Sequence, residues 1–151
     1  MLNHALADPT NRTRFTLLYA NVSEADILLR EELSALERAH PQTLRVVHTL
    51  DNPPQGWAGA SGYVSRELIK THVPSAELGD KFKVFVCGAS LLLLFLPRRS
   101  SVLTCLCVRL WRIGPPGQVS AVAGKKEGMK QGAIGGILKE LGYNEDQVFK
   151  F

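Results

Sequence analysis

Arg14-Phe-Thr-Leu-Leu-Tyr-Ala20, followed by Asn21-Val-Ser23 and, further on, by Leu44-Arg-Val-Val-His-Thr-Leu50, decides the fold class. Each seven-residue run mixes β-branched, aromatic and aliphatic side chains, the profile of a strand buried on both faces. Between the runs, Ser23 is a good helix N-cap, and Glu24 and Asp26 put negative charge in the first turn. Ala25, Leu29, Leu33 and Leu36 then recur on one helical stripe. Arg38 and His40 suit the helix end, and Pro41 stops it. Strand, helix and strand in this order make a βαβ unit, which implies a mainly parallel sheet.

Working outward, Asp51-Asn-Pro-Pro-Gln-Gly-Trp-Ala-Gly-Ala-Ser-Gly62 is too rich in proline and glycine to be anything but loop. Ser65 caps a short helix that runs to about His72 and is closed by Pro74. Lys83-Val-Phe-Val-Cys87 reads as a third strand ending at Gly88. A helix is expected near Pro116 and another around Ile134–Leu141, with Gly142 as its C-cap. Gln147-Val-Phe-Lys-Phe151 reads as a terminal strand. Gly124, Gly128, Gly132, Gly135 and Gly136 look like a phosphate loop only superficially. No strand precedes them and no Lys-Ser/Thr follows, so they read as a loop and a helix start.

The chain has 151 residues, 45% hydrophobic and 21% charged, as one globular domain does. That excludes a disordered, collagenous or coiled-coil chain and a two-domain enzyme. Three cysteines give an odd count, and His4, His40, His48 and His72 lie far from them, so neither a disulfide framework nor a metal site is expected. The opening Met1-Leu-Asn-His-Ala-Leu6 has no apolar signal-peptide core.

A net charge of +4 invites a nucleic-acid reading, but the location of the charge argues against it. Ala89–Gly114 holds Arg98, Arg99, Arg109 and Arg112 and no acidic residue, so removing it leaves 14 basic residues (18 minus 4) against 14 acidic ones. The same stretch fits none of the strand-helix punctuation. Pro97-Arg98-Arg99 breaks its apolar run, and a membrane span needs about 20 predominantly apolar residues.

Phe15-Thr-Leu-Leu-Tyr-Ala-Asn21, Glu24-Ala-Asp-Ile-Leu-Leu-Arg-Glu-Glu-Leu33, Thr49-Leu-Asp51, Gly62-Tyr63-Val64 and Val86-Cys87-Gly88 together resemble the NAD-binding half of NADH-cytochrome b5 reductases. Lys125-Lys-Glu-Gly-Met-Lys-Gln-Gly132 and Leu141-Gly-Tyr-Asn-Glu-Asp-Gln-Val-Phe-Lys-Phe151 are similar to the fungal, mitochondrial-outer-membrane branch. The resemblance covers nearly the whole chain apart from Ala89–Gly114. Deleting those residues joins Cys87-Gly88 to Pro115-Pro116-Gly117 and restores the family's Cys-Gly-Pro-Pro, so the segment reads as an unspliced intron or gene-model error, with a true insertion as the alternative.

The resemblance implies an α/β, partial ferredoxin-reductase-like (Rossmann-type) NAD-binding domain over residues 1–151. Its sheet is expected to lack the first, central strand, together with the glycine-rich phosphate turn and the FAD-binding domain that precede it in the family. It further implies NADH and FAD as cofactors and cytochrome b5 or a similar haem protein as acceptor. A mitochondrial outer-membrane location is implied, through an anchor upstream of Met1. Two alternatives stand beside it: another flavoenzyme of the superfamily, such as the flavin portion of a nitrate reductase, and a non-enzymatic fragment.

By the same resemblance, Asp51 lies by the adenosine ribose and disfavours a 2′-phosphate, as an acidic residue after a dinucleotide-fold strand does. Asn21 lies near the adenosine and Tyr63 near the adenine. Cys87 flanks the nicotinamide, helping to orient it for hydride transfer, while the redox chemistry belongs to the cofactors. Gly88, Pro115 and Pro116 shape the same wall, and Phe151 lies toward the flavin. From the residues alone, Asp51 better suits a turn start before Asn52-Pro53, while Tyr63 also suits a core aromatic and Cys87 an ordinary buried strand cysteine. Lys125, Lys126 and Lys130 read as a solvated face, or as steering charges for an acidic partner.

Overall fold

The computed structural model describes residues 2–87, 102–108, 118–125 and 131–150. A short helix α1 (Leu2–Ala7) leads into β1 (Arg14–Asn21), and helix α2 (Arg30–Ala39) connects β1 to β2 (Leu44–Leu50). The long loop then touches down as a two-residue strand, β3 (Ala60–Ser61). Helix α3 (Arg66–His72) leads to β4 (Phe82–Cys87). There follow β5 (Val102–Val108), α4 (Gln118–Ala123), α5 (Gly136–Glu140) and β6 (Val148–Lys150). The six strands form one sheet in the order β3-β2-β1-β5-β4-β6, and every neighbouring pair is parallel.

The parallel α/β sheet agrees with the βαβ reading, but two expectations need correction. Ser23 does not start a long helix. It closes a capping box over a single 3-10 turn, Glu24–Asp26, with its backbone N–H donating to Asp26 Oδ2 at 2.9 Å. The chain then extends at Ile27, which is buried against Tyr19 and Leu50, and α2 begins only after Leu29 has taken a left-handed conformation (φ 56°). Anchoring Ile27 in the core therefore splits the expected helix and leaves Leu29, a member of the expected stripe, exposed. Leu33 still packs on that core.

The second correction concerns Ala89–Gly114, which fitted no element of the sequence reading. Its Val102–Val108 is a strand of the sheet, in register with β1 (Arg14 beside Val102, Ala20 beside Val108) and with β4 (Phe82 beside Val102, Cys87 beside Cys107). It occupies the interior position between β1 and β4 that was expected to lack its strand. A run of seven residues, each apolar or β-branched, has the composition an interior parallel strand requires.

Both faces of the sheet are covered. On one side Leu18, Ala20, Val84 and Val86 pack with Ile69 of α3, Val122 of α4 and Leu138 of α5; on the other, Tyr19 and Leu50 pack with Ile27 and with Leu33 of α2. Leu18, Phe82, Val84 and Ile69 are fully buried, each stabilising the fold by about 1.5–3 kcal/mol relative to exposure. Local signals end the elements as read: Ser65 Oγ accepts from Leu68 N–H at 3.1 Å, and Gly142 follows α5 at φ 85°.

Candidate functional site

All strands run the same way, so their carboxyl ends share one edge. After β1 the chain winds outward to β2 and β3, then crosses back to β4 on the other side of β1. In open α/β sheets, ligands bind beyond the carboxyl ends of the strands at such a reversal. Asn21 ends β1 there and is buried, 6% exposed. The β1–β2 pairing continues past the strands: Asp51 N–H donates to Asn21 O at 3.0 Å, and Asn52 N–H to Val22 O at 2.8 Å. Asn21 and Asp51 are thereby held side by side.

The loop after Asp51 returns to the same place. Gly62 N–H donates to Leu50 O at 2.8 Å, and the buried Thr49 hydroxyl donates to Gly62 O at 2.8 Å. Gly62 takes φ 81°, a left-handed turn that a side chain would strain, and the next residue, Tyr63, projects 54% exposed. Asn21, Asp51 and Tyr63 therefore cluster at one rim. Cys87 ends β4 at the level of Tyr19, with β5 between them. Strand spacing and rise put its Cα about 12 Å from that of Asn21. Gly88, Pro115, Pro116 and Phe151 lie outside the described residues.

The Asn21 side-chain Nδ2 is buried with no hydrogen-bond partner among the described residues. A buried donor left unpaired costs about 1–3 kcal/mol. Residues 1–95 match the oxidoreductase NAD-binding domain family. The chain belongs to that family.

Among relatives of this NAD-binding domain, the NADH-cytochrome b5 reductase 2 of Aspergillus terreus is 41% identical over 152 residues, covering 100% of this chain and 39% of that protein. Its namesake from Phaeosphaeria nodorum is 40% identical over 145 residues, covering 95% of this chain and 35% of that one. The chain thus spans well under half the length of the curated relatives it matches. In fold it is similar to the cytochrome b5 reductase domain of Ulva prolifera nitrate reductase, with a TM-score of 0.62, 24% identity, and coverage of 99% of this chain and 42% of that one.

A cleft of about 620 Å³ lies along the outer edge of β2 under loop 54–60. Arg30 stacks over Trp57 there, and the Trp57 indole N–H donates to Ala60 O at 2.9 Å. His48 and His72 line it with Nδ1 atoms that are buried and unpaired among the described residues. Burial holds both imidazoles below their ordinary pKa, reinforced by Arg30 beside His48 and Arg45 beside His72. Neither Asn21 nor Asp51 lines that cleft.

Two buried polar residues that shape the domain near β6 carry no signal in the sequence. Gln147 is fully buried, with Nε2 donating to Ala76 O and Gly79 O at 2.9 and 3.0 Å. Lys150, 1% exposed, donates from Nζ to the carbonyls of Lys125, Gly132 and Ala133 at 2.9–3.1 Å. The nearby glycines serve close packing: a Cβ on Gly136 would stand 1.9 Å from Ala121 O, and one on Gly124 2.6 Å from Gly135 N. A lysine's chain position cannot reveal which carbonyls converge on it.

Proposed function

We propose that this chain is the nucleotide-binding half of an NADH-cytochrome b5 reductase. The observation that carries the reading is the unpaired, buried Asn21 amide held beside Asp51 at the sheet's switch point. There Asn21 donates to the adenosine, the Asp51 carboxylate accepts from the ribose hydroxyls, and the exposed Tyr63 ring covers the adenine. Asp51 repels a 2′-phosphate and so selects NADH over NADPH.

Cys87 flanks the nicotinamide two strands away, with Gly88, Pro115 and Pro116 as the adjoining wall and Phe151 toward the flavin. A bound nicotinamide supplies hydride chemistry, with FAD held by the other half of the protein as its acceptor. Cytochrome b5 as electron acceptor and the mitochondrial outer membrane as location belong to the same reading, supported by the names of the relatives. Among the described residues no helix is long and apolar enough to cross a membrane.

Ligand-observed NMR of the 151-residue chain with NADH and with NADPH tests this. Adenosine protons of NADH should receive saturation more strongly than those of NADPH. Asp51→Ala should narrow that preference by roughly five- to tenfold, the effect of about 1–1.4 kcal/mol of charge repulsion near solvent. A folded chain that saturates neither nucleotide, or an unchanged preference in Asp51→Ala, would overturn the assignment.

A further inference from the structure

The cleft under loop 54–60 is shaped by an unfinished strand pairing. Strand β3 accompanies β2 for two residues only, with Ala60 beside Thr49 and Ser61 beside Leu50. The outer edge of residues 45–48, about 13 Å of strand, therefore borders the cleft instead of another strand. The bonds of β2 show which way its backbone groups point. Thr43 O and Asp51 N–H face β1, where they bond Phe15 N–H and Asn21 O. Leu50 O accepts from Gly62 N–H, and Val46 N–H donates to Glu37 Oε1 at 2.8 Å, both on the outer side. Backbone groups on a parallel strand alternate sides from one residue to the next, so Val46 and His48 both point outward. Glu37 occupies Val46 N–H, while neither Val46 O nor His48 N–H has a partner among the described residues.

The side chains around this edge come from both faces of the sheet. His48 shares the face of its register partner Tyr19, on which Arg30 stacks over Trp57 and pairs with Glu24. Arg45 and Val47 lie on the opposite face, where Val47 joins the core beneath α3 and His72 of α3 lines the cleft. Lined from both faces, the cleft wraps the strand's edge, in the track that a further strand about 4.8 Å away would follow. We propose that this edge binds an extended acidic peptide segment of a partner protein, parallel to β2, with its central residue beside Val47. A residue placed there donates its N–H to Val46 O and accepts from His48 N–H, the two groups left open. Its side chain falls on the Val47 face beside Arg45, an exposed arginine with no carboxylate partner among the described residues, so an aspartate or glutamate suits it. Its neighbours turn toward the face of Trp57 and His48, where apolar side chains fit. A second copy of this chain pairing edge to edge would instead set arginines against arginines.

The test is amide NMR of the full 151-residue chain titrated with acetyl-Thr-Val-Glu-Val-Thr-amide. The His48 amide should shift and gain protection from solvent exchange, while that of Val46, held by Glu37, changes little. The same peptide with Gln in place of Glu should bind roughly fivefold more weakly, the effect of about 1 kcal/mol for an exposed ion pair. Arg45→Ala, a substitution at an exposed side chain, should make the two peptides bind alike. N-methylation of the central Glu removes the donor to Val46 O and should abolish binding, which separates strand pairing from attraction between charges alone. A His48 amide unmoved by millimolar peptide, undiminished binding of the N-methylated peptide, equal binding of the Glu and Gln peptides to the unsubstituted chain, or a dimer already joined through this edge would each overturn the proposal.

Discussion

Replacing Lys150 by methionine tests the unusual burial at the end of the sheet. The side chain is 1% exposed, and its ammonium donates to three main-chain carbonyls, those of Lys125, Gly132 and Ala133. Methionine nearly preserves the volume and removes the charge together with its donors. Each hydrogen bond from a charged group contributes about 1.5–3 kcal/mol, so the three together are worth roughly 4.5–9 kcal/mol. Burying the ammonium offsets several kcal/mol of that, while three carbonyls left without a donor add back part of the loss. The expected net destabilisation is about 3 kcal/mol. In a domain of this size it lowers Tm by roughly 6–12 °C. Thermal and urea unfolding followed by far-ultraviolet circular dichroism measures it. Lys150→Arg should fail to restore stability, because a planar guanidinium cannot direct donors to carbonyls arranged around a compact ammonium. A solvated lysine at the chain's end would cost less than about 0.5 kcal/mol on substitution. A loss that small for Lys150→Met would refute the carbonyl cage.

Three further outcomes follow from the described geometry. Leu29→Gly should stabilise the chain by about 1 kcal/mol in urea unfolding, because glycine relieves the left-handed φ of 56° and little apolar contact is lost from an exposed side chain. Gly136→Ala should prevent cooperative unfolding or lower stability by more than about 3 kcal/mol, since its Cβ would meet Ala121 O at 1.9 Å and φ is 58°; a near-native Tm would disprove the close approach of α4 and α5. The depressed His48 and His72 pKa values mean that the unfolded chain binds more protons in acid. Their stability contribution is therefore present above about pH 6.5 and lost as pH falls through the folded values. His48→Asn should flatten that part of a Tm-against-pH curve, and an unaltered acid slope would count against it.

The elements that sequence reasoning placed well are those with local causes. Strands β1 and β2 announce themselves by composition, α3 by the Ser65 cap, and the end of α5 by Gly142. It failed at Ser23–Leu29, where a perfectly good helix signal yields to the tertiary demand of burying Ile27. It failed again at Val102–Val108. Charge and leucine content marked the surrounding segment as foreign, yet strand formation depends on side-chain type and an open pairing position, not on origin. At the candidate site, the positions of Asn21 and Asp51 at the carboxyl ends of β1 and β2 were legible from strand composition, whereas their nucleotide roles came only from the family resemblance. The strand pairing of Cys87 with Cys107 and the Lys150 cage were not legible, since each depends on a register or convergence set by distant parts of the chain.

The interior position of β5 bears on how the chain reaches its native state. Among the described residues no pairing joins β1 to β4 directly; β5 lies between them. Arg14 must therefore wait for Val102, 88 positions later (102 minus 14), before its strand is enclosed on both sides. Contacts of such long sequence separation carry a large loop-closure entropy and slow the search for the folded form. During synthesis, β1 and β2 leave the ribosome with one open edge until β5 arrives, an interval in which that edge can template pairing with another chain. Protection of β1 amides should appear late in refolding, together with those of β4.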